Sequence, residues 1–121
     1  MYQIDFYEDK NGISDVTEFI EYLDQSTQKQ DHQILTKLTY QLELLSQLGN
    51  RMHEPQAKFL KGYRHPLMEL RPMPERFFYA SWDRNRFVIL SHYKKKQNKT
   101  DPREVEKALD RLDDWLERKG K

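Results

Sequence analysis

The sequence predicts a single α+β domain over residues 1–121, in the order β-α-α-β-β-β-α. It has a small antiparallel-dominated sheet, a helical hairpin and a C-terminal helix. Three observations predict this. Two stretches of helical period follow one short alternating run, three aromatic and aliphatic runs fill the middle, and a strongly capped amphipathic stretch closes the chain. Helices grouped ahead of a strand meander indicate one sheet with helices packed on one face.

The elements follow in order. "YQIDFYE" (2–8) sets Tyr2, Ile4 and Phe6 against Gln3 and Asp5, the period of a half-buried strand. "DKNG" makes a turn, and Ser14 can cap a helix carrying Val16, Phe19, Ile20 and Leu23 on one stripe. Thr27 with Gln30 three residues on resembles a capping box for a second helix. That helix lines up Ile34, Leu35, Leu38, Leu42, Leu45 and Leu48, and Gly49 ends it. The period then changes to "PLMELRP" (66–72), "RFFYASW" (76–82) and "RFVILSHY" (86–93), joined by short links that suit a meander. In the last segment Asp101 caps, Pro102 starts and Glu104 occupies the third position of a helix. Its apolar stripe is Val105, Ala108, Leu109, Leu112 and Leu116, with Trp115 beside it. The tail "ERKGK" is expected to fray.

Net charge is +1, but its distribution is uneven. Residues 1–50 hold three basic and nine acidic side chains, whereas residues 51–100 hold twelve and four. Such asymmetry hints at a polyanionic partner for the basic segment. No stretch approaches the roughly 18 apolar residues of a membrane span, and the N-terminus lacks a signal-peptide layout. The expected location is therefore the cytoplasm.

Absent motifs narrow the chemistry. There are four histidines without helical ligand spacing and no cysteine, which argues against a metal site. Neither a nucleophile elbow nor a glycine-rich phosphate loop is present. No cofactor is expected, leaving cofactor-free chemistry or binding.

In an antiparallel meander Arg71 and Arg76 flank one turn, and residues His92 to Lys96 return to the same end of the sheet. A rim of this kind suits phosphodiester cleavage by a ribose 2′-OH, where a base takes a proton, cations hold the dianionic transition state and an acid protonates the leaving oxygen. A histidine titrates near 6.5 and a tyrosine near 10. Neighbouring lysines would lower the Tyr93 value, so His92 and Tyr93 both stand as proton carriers. The plainer account is that Arg71 and Arg76 pair with Glu69 or Glu75 on the surface and that His92 and Tyr93 only pack.

Residues 48–111 carry a resemblance. "LG…P…K.L" from Leu48 to Leu60, "ELR" (69–71), Arg76 and "ILSHYKKKQNKTDPREVEKAL" (89–109) resemble the RelE/ParE superfamily of type II toxins, closest to its HigB-like branch with the phage-derived Gp49-like proteins. The resemblance implies a ribosome-dependent mRNA endonuclease that needs no metal. It also implies a helix-turn-helix antitoxin partner of the HigA kind, in a complex that can be a heterotetramer, with ribosome and message as further partners. It marks Arg71, Arg76, His92, Tyr93, Lys94 and Lys95 as catalytic and Lys58 and Lys61 as phosphate contacts; Arg64, Lys96 and Lys99, in the same basic segment, are expected to add RNA contacts. A ParE-like toxin acting on DNA gyrase without cutting RNA is the alternative.

Overall fold

The computed structural model describes residues 1–120. Strand β1 (Gln3–Phe6) leads into helices α1 (Asp15–Gln25) and α2 (Lys29–Leu48), then a single 3₁₀ turn, Gly49–Arg51. Strands β2 (Ala57–Leu60), β3 (Leu67–Leu70), β4 (Glu75–Asp83) and β5 (Arg86–Lys94) precede helix α3 (Pro102–Lys119). The expected order stands, with β2 as an additional short strand. It escapes sequence reading because "AKFL" is four residues long and carries a charge.

The sheet order is β1-β5-β4-β3-β2, with β1 parallel to β5 and every other pairing antiparallel. Helices cover both of its faces, not one as expected. Leu70, Phe77, Tyr79, Phe87 and Ile89 pack with Val16, Leu38 and Leu45 of the hairpin. Leu67, Phe78, Ala80, Val88 and Leu90 pack with Val105, Leu109, Leu112 and Trp115 of α3. The signal was present in "FFYA" and "FVIL": a strand with one wet face alternates, whereas these run apolar without a break, as strands buried on both faces do.

The ends of the helices follow mostly from local chemistry. Ser14 accepts a hydrogen bond from Thr17 N, and Asp101 accepts one from Arg103 N. The expected Thr27 box does not form: α2 begins one residue later, capped by Gln28 without a side-chain bond. Instead the Ser26 hydroxyl accepts from Gln28 N and donates to Asp31. Gly49 ends α2 at φ +57°, with the Tyr2 ring packed against its Cα. Glu117 and Arg118 stay helical rather than frayed, because Arg118 binds Asp114 at 2.8 Å and the Glu8 carbonyl. Lys121 lies outside the described residues.

An ion pair ties the two helical layers together. Arg111 of α3 binds Asp15 of α1 through both terminal nitrogens at 2.8 Å and also donates to the Leu90 carbonyl. Among the described residues no helix is long and apolar enough to cross a membrane.

Candidate functional site

The β4–β5 pairing decides which side chains share a face. Tyr79 lies opposite Ile89, but Phe78 lies opposite Ser91, so one extra residue bulges in β5. Beyond this bulge Phe77 pairs with His92 and Arg76 with Tyr93. A regular ladder would have set His92 across from Arg76. Bulges re-aim side chains in this way, and one residue of register moves a side chain to the opposite face.

His92 and Tyr93 therefore part company. The His92 ring lies on the hairpin face, stacked on Phe19 at 4.2 Å and against Phe77 at 5.6 Å, with Nδ1 3.7 Å from Glu75. Tyr93 lies on the α3 face, its ring on Phe78 at 5.4 Å and its hydroxyl donating to Glu69 Oε2 at 3.4 Å. Lys94, beside Glu75 in register, is exposed at the strand end.

Around Tyr93 a cationic cluster closes on one carboxylate. Glu69 is fully buried, with Arg71 Nε at 3.8 Å and Arg76 Nε at 3.5 Å from its Oε1. Lys58 of β2 faces Glu69 across the ladder, and the Lys95 backbone N–H donates to the Pro74 carbonyl, which holds its segment over the β3–β4 turn. The Arg71 N–H donates to Gln41 Oε1, so α2 also fixes this end of β3. The expectation of surface pairs with Glu69 is corrected: the arginines do pair with it, but underneath the surface. The "ELR" signal was a lone acid inside an apolar run, which is costly unless cations accompany it.

Burial and the neighbouring charges shift proton affinities here. Burial, then the Glu69 charge, push the Tyr93 phenol up to about 12, against the opposing pull of Thr100 and Arg76. The expected lowering by lysines is overturned, since burial outweighs the cations. Burial and then Arg76 hold the Lys95 ammonium below the usual lysine range.

Two adjoining hollows open on this cluster. One, about 460 Å³, is floored by Arg71 and Arg76 and bordered by Lys95 and Lys96. The other, about 420 Å³, lies between Tyr93, Lys95, Lys96, Lys99 and the first turn of α3. Not every expected RNA contact gathers here. Arg64 is bound by Glu106, Asp110 and Asp113 at 2.7, 2.9 and 2.8 Å, which neutralises it on the flank of α3. Lys61 stands exposed just past β2. A larger cavity, about 610 Å³, is mainly apolar and elsewhere, between the 3₁₀ turn and the hairpin face of the sheet, lined by Met52, Phe59, Met68 and Tyr79.

The fold is a small α+β domain with cations gathered on one sheet face beside open hollows, and guanidinium and ammonium groups so placed can hold an anionic group. The family model described as Phage derived protein Gp49-like (DUF891) matches residues 25–113, and the chain belongs to that family, a phage-derived, toxin-like family related to RelE and HigB. Membership implies an antitoxin partner. No curated protein matches the chain.

Proposed function

We propose that this protein is the toxin of a type II toxin–antitoxin pair and that it cuts messenger RNA on the ribosome without a metal. The observation that carries the reading is the gathering of Arg71, Arg76, Tyr93 and Lys95 on one face, the arginines lining one hollow, Tyr93 the adjoining one and Lys95 both. Arg71 and Arg76 hold the phosphate oxygens as charge builds on them. Lys95, whose proton affinity is lowered, accepts the proton of the ribose 2′-OH while that oxygen attacks the phosphorus. Tyr93, protonated at neutral pH, turns its proton from Glu69 to the departing 5′-oxygen, leaving a 2′,3′-cyclic phosphate; Lys95 then releases its proton to solvent and Tyr93 regains one from it. His92 takes no part, and Lys94 acts with Lys58, Lys96 and Lys99 as a backbone contact. A HigA-like antitoxin would neutralise the protein.

Mapping of message 5′ ends after induction tests the reading. Arg76→Ala should lower the yield of new ends by about 10²-fold or more, the scale of losing one preorganised charge donor. Intact message together with inhibition of purified DNA gyrase would replace it with the ParE-like alternative.

A further inference from the structure

Glu69 is the one member of the cluster with no part in the chemistry above, and its geometry is unusual. It is fully buried, yet its Oε1 makes no hydrogen bond, and neither does Nε of Arg71 or Arg76. Both arginines meet it through Nε, at 3.8 and 3.5 Å. Arg71 Nη1 lies 3.7 Å from Glu54, Arg76 Nη1 donates to the Glu75 carbonyl, and both arginines line the hollow above. Its other oxygen accepts from Tyr93. One carboxylate thus touches three of the four groups assigned to the reaction.

We propose that Glu69 is a positioning residue: its buried carboxylate draws the Nε edges of Arg71 and Arg76 inward and aims the Tyr93 hydroxyl, turning the guanidinium Nη edges toward the phosphate. This rests on the nuclease reading for its consequence in catalysis, but not for its geometry. Two guanidinium groups that share a pocket repel, and a central anion lets them sit side by side at fixed angles. The carboxylate also opposes RNA binding, since it cancels one of the positive charges that attract the backbone. Binding and cleavage should therefore respond to its removal in opposite directions. A residue that merely fills space has no reason to separate them.

The test is Glu69→Gln, which keeps shape and removes charge. Its affinity for a 2′-deoxy-substituted, uncleavable oligonucleotide should equal or exceed that of wild type, while cleavage of ribosome-bound message falls by about 10²-fold, the cost of an ångström-scale misplacement. In a Tyr93→Phe background the same substitution should cost less than it does alone, because the two act as a unit. Cleavage at the wild-type rate, a parallel loss of affinity and rate, or full additivity with Tyr93→Phe would overturn the proposal. An arm independent of activity is phenol titration against the Tyr93→Phe counterpart. Tyr93 should ionise at lower pH in Glu69→Gln than in wild type, and an unchanged titration overturns the positioning role. A wild-type protein that leaves message intact contradicts the nuclease reading alone, and the titration then still decides the role of Glu69.

Discussion

At the scale of single residues, neighbours in sequence have different fates. His92 is wedged between Phe19 and Phe77, and Tyr93 faces Glu69 and the cations. His92→Phe keeps a ring in the stack and removes the titratable nitrogens. It should leave cleavage within a few-fold of wild type, checked on ribosome-bound message. Two phenols, Tyr79 and Tyr93, are pushed from 10.0 up to about 12, both chiefly by burial. A folded-state value raised above the unfolded one stabilises the fold fully below pH 10, and the benefit is lost as pH rises through 12. Tyr79→Phe should therefore flatten the alkaline limb of a plot of melting temperature against pH. An unchanged limb would deny that Tyr79 is the buried phenol responsible.

At the scale of elements, most of the fold was legible and the site was legible in composition only. Ser14, Gly49, Asp101 and Pro102 marked helix ends because capping is a local contest between a side chain and nearby backbone groups. Thr27 misled because the serine one residue before it bonds the Gln28 N–H instead. The bulge in β5 left no mark in the sequence, since it depends on how two strands meet, and it alone sends Tyr93 rather than His92 to Arg76. Burial of Glu69 left one sign, a lone acid inside an apolar run, but its partner Lys58 lies on β2, a strand too short to recognise. At Gly49, φ is +57° and the Tyr2 ring occupies the space of a Cβ, so Gly49→Ala should cost at least about 1 kcal/mol in denaturant unfolding. Burial alone would raise the Asp15 carboxyl, but the Arg111 guanidinium wins and holds it below its usual 3.8. A depressed folded value gives stability that is complete above pH 3.8 and is lost as pH falls through the folded value. Asp15→Asn should make acid unfolding less steep in that window, and Arg111→Ala should cost about 2 kcal/mol at neutral pH.

At the scale of the whole molecule, the uneven charge of the sequence resolves into a layout. The acidic hairpin covers one face of the sheet, while cations from β2, β3, β4 and the segment after β5 collect on the other, where α3 leaves it open. Single-stranded nucleic acid releases about 0.7 counterion per neutralised phosphate. Engagement by Lys58, Arg71, Arg76 and Lys96 thus predicts a slope of log affinity on log salt of about −3, made shallower by about 0.7 in Lys96→Ala. A slope near zero in filter binding would remove this face from RNA recognition. The central claim is that the α3 face, with Tyr93, performs the cleavage, and that the hairpin face, with His92, does not. The most direct measurement maps message 5′ ends after induction of wild type, Tyr93→Phe and His92→Phe side by side. The account predicts the same breaks for wild type and His92→Phe, and a loss of about 10²-fold or more for Tyr93→Phe. Undiminished breaks from Tyr93→Phe, with their disappearance in His92→Phe, would contradict it.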